Sequence, residues 1–271
     1  MTTWQKILKY IVAAFACFLC LSIVGGIISV ISVFSGVFGI KNKEVRDMTE
    51  YPVISDITKV KIDTGTMNFS VKISNDFRIE TNNEDIIIKE NNGELKIYEE
   101  NRFLFGGLRS AEIKLCIYIP SDKVFEQFCF DGGTGNVDIE GLSADRVDFD
   151  FGTGDVNINN LNTASEAKIN GGTGKITVHN SRLANADIDM GVGEMNLTGE
   201  FYGKSRMDLG VGAVRINLMG NKEDYCINVE KGLGSVAIDG QKMSDGSVYG
   251  NGDNKIKLDG GVGAIRVNFT E

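Results

Sequence analysis

The 271-residue sequence contains only two prolines, one histidine and one tryptophan. Pro52 and Pro120 both lie outside the glycine repeat that dominates the chain, which suits strands whose amide groups must all donate to a β-ladder. The single histidine, His179, stands beside Asn180 at the end of a predicted strand, a setting typical of a surface residue. This small supply of catalytic side chains argues against an enzyme.

Cysteine is scarce as well. Cys17 and Cys20 fall in an apolar amino-terminal segment, and Cys116, Cys129 and Cys226 fall in the remainder of the chain. Three is an odd number, and none of these cysteines has the spacing of a metal site. We therefore expect isolated buried or strand-face thiols and exclude a disulfide framework.

Charge is almost absent from the beginning of the chain, where Lys9 is the only charged residue between Ile7 and Ile40. This run exceeds the ~20 residues that a helix needs to span a membrane. We predict a membrane anchor at 1–40, with the spanning helix at about 10–32, and a polar linker at 41–56. A cleaved signal peptide is the alternative, but the apolar stretch is long for one.

The flanking charges do not decide the orientation of this helix, since Lys6 and Lys9 precede it and Lys41, Lys43 and Arg46 follow it. Beyond residue 40 the chain has 26 basic and 37 acidic side chains, a net charge near −11. This acidity argues against a nucleic-acid partner. It also predicts that the domain stands off an anionic bilayer surface.

Glycine is the residue that recurs. Eight glycines share one register, with an acid or amide two residues earlier and apolar residues three before, four after and six after. These bend glycines are Gly65, Gly133, Gly152, Gly172, Gly191, Gly210, Gly232 and Gly261. From Gly133 to Gly210 they are 19, 20, 19 and 19 residues apart, and the last two steps, 22 and 29, carry inserted loops. A fixed period of this size is typical of a stacked solenoid.

Within one unit, residues 147–151 alternate apolar and acidic, Gly152-Thr153-Gly154 interrupts, and residues 155–158 alternate again. The pattern predicts strand, bend, strand. A unit of about 20 residues is too short to include a crossover helix. We therefore predict an all-β, parallel β-solenoid of about 19–20 residues per coil at 57–271, with an irregular stretch at 74–125.

The carboxyl-terminal unit runs through Ile265, Val267 and Phe269 and ends at Glu271. No residues remain for a terminal cap, so we expect an exposed apolar core and an unpaired strand edge there. A second copy of the chain or an envelope protein is the expected partner at this end.

Two residues before the bend glycines, stacking would align a row of mostly acidic side chains: Asp63, Asp131, Asp150, Asn170, Asp189, Asp208, Glu230 and Asp259. One reading is a row that binds cations or a basic polymer, with Asp131, Asp150, Asp189, Asp208 and Asp259 as candidate ligands. The other is that each Asp accepts hydrogen bonds from its own bend. The column two residues earlier would neutralise much of the row, since it alternates Asp148, Lys168, Asp187 and Arg206. We assign no catalytic or cofactor-binding residue and expect no cofactor.

The amino-terminal apolar helix, the polar joint and units such as Phe149-Asp150-Phe151-Gly152-Thr153-Gly154-Asp155-Val156-Asn157-Ile158 resemble the bacterial putative-adhesin family of β-strand repeats. The resemblance covers about 57–271. It implies a domain outside the membrane with the amino terminus inside, and a relation to membrane-anchored accessory proteins of the Lia envelope-stress system of Gram-positive bacteria. It carries over no catalytic residues.

The leading hypothesis is a single-pass, non-enzymatic protein of the bacterial cell envelope that acts as an adhesin-like or interaction module, in the cell membrane with an extracytoplasmic carboxyl-terminal domain. A carbohydrate-active enzyme that uses acids such as Asp148 and Asp150 is the alternative from another class. A cytoplasm-facing scaffold is the third, because charge leaves the side open.

Overall fold

The computed structural model describes residues 47–100 and 112–270. The anchor predicted at 1–40 and its helix at about 10–32 lie outside the described residues. Within those two ranges, helical structure falls short of the length and apolar character needed to cross a membrane. The 3-10 helix Lys222–Asp224 is three residues long. Strands make up the rest of the regular structure, which confirms the all-β class.

The described residues form nineteen strands. In chain order these are β1 (Thr49–Pro52), β2 (Lys59–Thr64), β3 (Asn68–Ser74), β4 (Arg78–Thr81), β5 (Ile86–Asn91), β6 (Glu94–Glu99), β7 (Lys114–Pro120), β8 (Val124–Thr134), β9 (Val137–Glu140), β10 (Ser143–Thr153), β11 (Val156–Asn159), β12 (Asn162–Ala184), β13 (Ala186–Tyr202), β14 (Lys204–Met219), β15 (Tyr225–Glu230), β16 (Leu233–Ile238), β17 (Gln241–Lys242), β18 (Ser247–Tyr249) and β19 (Asn254–Thr270).

Strands in the middle of the chain pair in parallel with strands one repeat away. Phe149 in β10 is aligned with Phe130 in β8 and with Ile169 in β12, which lie 19 and 20 residues away. The predicted parallel pairing at the repeat distance is therefore present. We call one such level of paired strands a rung.

Apolar residues of every unit meet in a common core. The residues three positions before the bend glycines are at most 3% exposed, and they are Ile62, Phe130, Phe149, Ile169, Ile188, Met207, Val229 and Leu258. The residues four and six positions after the glycines are buried too, as Val156 and Ile158 illustrate. Alternation on both sides of the bend thus places one face of each strand inside and the other in solvent.

The order of rungs departs from the order of the sequence at both ends. From end to end, the rungs are formed by β6 with β7, β2 with β3, β8 with β9, β10 with β11, β12, β13, β14, β19, and β15 with β16. The first and the last unit of the described chain each lie one rung inside the stack.

The predicted uncapped carboxyl-terminal unit is therefore wrong. Strand β19 pairs with β14 on one edge and with β15 and β16 on the other. Val267 is 1% exposed, and the ring of Phe269 packs against Tyr225 and Tyr249 with centroids 5.8 and 5.7 Å away. The insertion between Ile238 and Asn254 is long enough to return the chain, and a unit of the same register fits between two others.

Short antiparallel strands flank both terminal rungs. β18 pairs with β15 and β17 with β16 at one end, while β5 pairs with β6 and β4 with β7 at the other. β1 adds to β4, so the range predicted as a polar linker at 41–56 includes a strand. Arg78 ties these strands together, with its guanidinium 3.8 Å from the ring centroid of Tyr118 and 3.1 Å from Glu80.

Candidate functional site

The bends bring neighbouring backbones into contact. A Cβ atom on Gly172 would lie 2.0 Å from the carbonyl oxygen of Gly152, and one on Gly152 would lie 1.9 Å from that of Gly133. No side chain fits at such distances. Gly174, two residues after Gly172, adopts φ +143°, a conformation that L side chains rarely adopt. In this bend one glycine is therefore required by contact and the other by conformation. The same Gly-x-Gly sequence recurs at the other bends from Gly133 onward, while the first bend reads Gly65-Thr66-Met67.

Other predicted bend glycines repeat this contact along the stack. The calculated distance from a Cβ to a carbonyl oxygen of the neighbouring rung stays between 1.8 and 2.2 Å at Gly191, Gly210, Gly232 and Gly261. At Gly133 the nearest atom is the carbonyl oxygen of Gly65, 2.9 Å away. The structure thus brings all the predicted bend glycines into one column.

The predicted acidic row is also in register. Its order along the stack is Asp63, Asp131, Asp150, Asn170, Asp189, Asp208, Asp259 and Glu230. Neighbours are about 4.8 Å apart along a parallel ladder, so their charges repel. Asp131, Asp150 and Asp189 are exposed, and Asp208 and Asp259 are partly buried.

Basic side chains from the adjacent column neutralise the row near the end that contains β19. Arg206 Nε lies 3.0 Å from Asp259 Oδ2, and Arg206 Nη2 lies 3.3 Å from Asp208 Oδ2. Lys257 Nζ lies 3.0 Å from both Asp259 Oδ1 and Glu230 Oε1. Of the two basic residues expected to neutralise the row, Arg206 does so for Asp208 and Asp259, while Lys168 Nζ lies 3.7 Å from Asp148 in its own column. Asp208 and Asp259 thus form ion pairs with basic side chains, whereas the alternative prediction had them accept hydrogen bonds from the amides of their own bends.

Burial opposes ionisation of Asp259. Hydrogen bonding to Lys257 and the charges of Lys257 and Arg206 outweigh that effect and lower the pKa of this carboxyl below its ordinary value of 3.8. The same contact raises the pKa of Arg206, chiefly through the charge of Asp259. The carboxylate and guanidinium therefore stabilise each other's charged forms.

In the part of the chain that the structure describes, no group of three or more His, Cys, Asp or Glu side chains is arranged to hold a metal ion. The row supplies at most one carboxylate per rung, and in the rung of β12 its member is the amide of Asn170. His179 is exposed, as expected. Cys116 and Cys226 are buried, Cys129 is half-buried, and all three are free thiols.

Sequence reasoning missed the residue between the two glycines of each bend. This residue projects outward and forms a bend ridge, whose order along the stack is Thr134, Thr153, Thr173, Val192, Val211, Val262 and Leu233. The signal was available, since each member directly follows a bend glycine. Because glycines flank every member, the ridge stands clear of other side chains.

Small cavities lie beneath several bends of the described residues, and those lined by Gly172, Gly133 and Gly232 each have a volume of about 10 Å³. One is lined by Phe151, Gly172 and Met190 among others. Such a volume holds at most one water molecule. The bends therefore offer a surface for recognition.

A family profile described as Toastrack DUF4097 matches residues 53–248. The matched range includes nearly three quarters of the chain. The chain belongs to the Toastrack family. The match ends at the beginning of β18 and thus before β19, the strand that the fold places inside the stack. No curated protein matches the chain.

Solved structures similar to this Toastrack chain are described as a putative cell adhesion protein or as putative adhesins. A putative cell adhesion protein from Clostridium sporogenes is 15% identical, covers 83% of this chain and 99% of its own, and has a TM-score of 0.37. A putative adhesin from Bacteroides fragilis is 15% identical, covers 84% and 100%, and has a TM-score of 0.35. A putative adhesin from Parabacteroides distasonis is 10% identical, covers 85% and 99%, and has a TM-score of 0.37.

Proposed function

We propose that this Toastrack protein is a membrane-anchored, non-enzymatic interaction protein of the bacterial cell envelope, with an adhesin-like role outside the membrane. The observation that carries the proposal is the shape of the described surface. Columns of chemically similar side chains are aligned over successive rungs. The cavities beneath the bends hold at most one water molecule each. Such a surface suits an extended partner better than a small substrate.

The anchor is proposed from the apolar run between Ile7 and Ile40, which has the length and the low charge of a spanning helix. The net charge near −11 of the remaining chain supports a domain that stands away from anionic lipid. We also propose that the rungs wind as one parallel β-solenoid, because the register offsets in the middle of the stack equal the repeat length. A role in an envelope-stress response belongs to the same proposal.

Anchoring and sidedness are tested with the full chain in a Gram-positive host. We expect the chain to stay in the membrane pellet after alkaline carbonate extraction. A cysteine introduced at exposed Glu223 should react with a membrane-impermeant maleimide on intact cells, in a background that carries Cys129→Ser. Release by carbonate would contradict the anchor. Labelling only after cell lysis would contradict the extracytoplasmic side and favour a cytoplasmic scaffold.

The interaction role is tested by sedimentation of the detergent-solubilised full chain with purified cell walls of the host. We expect the chain to pellet with the walls in a saturable manner and to release no reducing sugar from them. Sugar release that Asp150→Asn abolishes would overturn the non-enzymatic part of the proposal. Absence of saturable binding to walls and to membrane extracts alike would overturn the interaction part.

A further inference from the structure

Four of the seven residues of the bend ridge are apolar. Val192, Val211, Val262 and Leu233 are 51%, 47%, 47% and 46% exposed, and they occupy four consecutive rungs. At about 4.8 Å per rung they form a straight line about 14 Å long. Contiguous apolar surface of this kind on a folded domain marks an interaction site more often than single exposed residues do.

The backbone does not require apolar residues at this position. The three preceding rungs place Thr134, Thr153 and Thr173 at the same point of the same Gly-x-Gly bend. Threonine and valine have nearly the same shape and both favour strands. Leu233 is not β-branched, so strand preference does not explain it. The chain thus exposes methyl groups where it elsewhere exposes hydroxyls.

A second column changes character over the same rungs. The residues three positions after the bend glycines are Asn136, Asp155, Lys175 and Glu194 in the middle of the stack, and Ala213, Ala264 and Ser235 farther along. The column therefore carries no charge in three of the four rungs where the ridge is apolar, and Glu194 keeps its charge in the rung of Val192. We call the four apolar ridge residues, together with Ala213 and Ala264, the apolar patch.

We propose that the apolar patch binds the apolar patch of a second copy of this chain. The inference names a partner for the proposed interaction protein and rests on that function. The ridge places one side chain every ~4.8 Å, so a partner can contact it at every rung only if its own side chains repeat at the same distance. A second copy of the chain has this spacing because it has the same ladder.

Charges on the two sides of the patch select the orientation. One side carries the acidic row, whose members Asp208, Asp259 and Glu230 are partly neutralised by Arg206 and Lys257. The other side carries the register partners Arg215 and Arg266, and Arg215 is paired with Glu194 at 2.6 Å. Acidic side chains outnumber basic ones on the first side, and basic ones outnumber acidic ones on the second. A two-fold axis parallel to the ridge places the acidic side of one copy against the basic side of the other. A two-fold axis across the ridge would oppose like charges, which is unfavourable. The two ridges therefore run in the same direction, with Val211 facing Val211 of the second copy.

The size of the patch sets the strength of the contact. Four rungs offer on the order of 300 Å² per copy, well below the ~800 Å² per partner of stable complexes. The dimer is therefore weak in dilute solution and becomes populated when copies are concentrated, as in one membrane, where effective concentrations are high.

The test exchanges residues that the chain already uses at this position. A variant with Val192→Thr, Val211→Thr and Val262→Thr extends the threonine part of the ridge, and the reverse variant with Thr153→Val and Thr173→Val extends the apolar part. Both should fold, since each side chain already occupies an equivalent bend. Association of the full chain is measured in phosphatidylcholine vesicles by energy transfer between dyes at Glu223→Cys, over a range of protein densities. The labelling background carries Cys17→Ser, Cys20→Ser and Cys129→Ser.

We expect the triple variant to weaken association at least tenfold and the double variant to strengthen it. Oxidation should cross-link Val211→Cys between copies. Val248→Cys, which is more exposed at 57% but lies outside the ridge, should not cross-link. Monomers at every density, or equal association of the three proteins, would overturn the proposal. Cross-linking of Val192→Cys to Leu233→Cys in preference to Val211→Cys with itself would overturn the parallel orientation.

These outcomes stay separate from the membrane question. The wild type, the triple variant and the double variant are also compared by sedimentation equilibrium in detergent at high protein concentration. Membrane insertion does not affect this measurement. The expected order of association is the same there. A failed anchor would show in carbonate extraction, while a failed dimer would show as identical sedimentation of wild type and both variants.

Discussion

At the scale of single residues, glycine is required in this chain for two different reasons. Gly172 has no room for a side chain because the carbonyl oxygen of Gly152 occupies the place of its Cβ. Gly246 has open space around it but adopts φ +71°. The first constraint is contact between rungs, and the second is backbone conformation alone.

The two glycines predict different costs for the same substitution. Gly172→Ala should lower the free energy of unfolding by about 3 kcal/mol, since rungs must separate to admit the methyl group. Gly246→Ala should cost about 1 kcal/mol, the strain of a left-handed alanine. Urea unfolding followed by circular dichroism measures both. Equal costs would show that the contact between bends does not limit the side chain.

The ion pairs around Asp259 predict a pH dependence. Asp259→Asn should lower the free energy of unfolding by about 0.5–1 kcal/mol at pH 7, since Arg206 and Lys257 lose a charged partner. The pKa of Asp259 is lowered in the folded state, so its stabilisation is complete above the ordinary value of 3.8 and disappears as the pH falls through the lower folded-state pKa. Unfolding midpoints of variant and wild type should therefore converge at acidic pH.

Asp150→Asn is the matched control for this prediction. Asp150 belongs to the same column, and no basic side chain of the described residues lies within 4.0 Å of its carboxylate. Its replacement should leave the free energy of unfolding at pH 7 unchanged or slightly higher, because it relieves repulsion by its neighbours. A loss at pH 7 as large as that of Asp259→Asn would contradict the assigned ion pairs.

At the scale of elements, the last strand of the chain behaves as an interior strand. β19 forms parallel ladders on both edges, and its core residues Ile256, Leu258 and Val267 are at most 2% exposed. Chain termini usually fray, because few contacts hold them. Here the ladder on each side and the buried apolar face oppose fraying.

Hydrogen exchange should therefore be slow in β19. We expect its amides to exchange as slowly as those of β14 and more slowly than those of β17 and β18, which pair on the outside of the end rung. Exchange mass spectrometry of the full chain measures this. Faster exchange in β19 than in β18 would place the carboxyl-terminal strand at the edge, where the sequence had put it.

At the scale of the whole molecule, each rung contacts only its neighbours, so the position of a rung decides how far a local defect spreads. Ile188 in β13 and Ile238 in β16 are both 0% exposed, but β13 lies inside the stack and β16 in an end rung. They form a matched pair of core isoleucines.

Replacing either isoleucine by alanine should cost about 2–5 kcal/mol in the rung that contains it. Ile238→Ala should speed exchange in β15–β18 and leave β10 unchanged, because an end rung can open alone. Ile188→Ala should speed exchange on both sides of β13. Identical exchange patterns in the two variants would show that the stack opens only as a single unit.

The sequence alone determined the rung. Its period, its alternation and its glycines are local properties, since strand faces and bend conformations follow from residues close in the chain. These properties were enough to place the bend glycines, the buried columns and the acidic row. They could not order the rungs, because every unit carries the same register and pairs equally well with any other.

Tertiary structure decided the rest. The chain skips a level where the short connection from β7 leads to β8 and where the short connection from β14 leads to β15, and this places the first and last units inside the stack. The same rearrangement puts Val262 between Val211 and Leu233, so the order of residues along the patch differs from their order in the sequence. Neither outcome is written in local periodicity, because both depend on contacts between residues that are far apart in the chain.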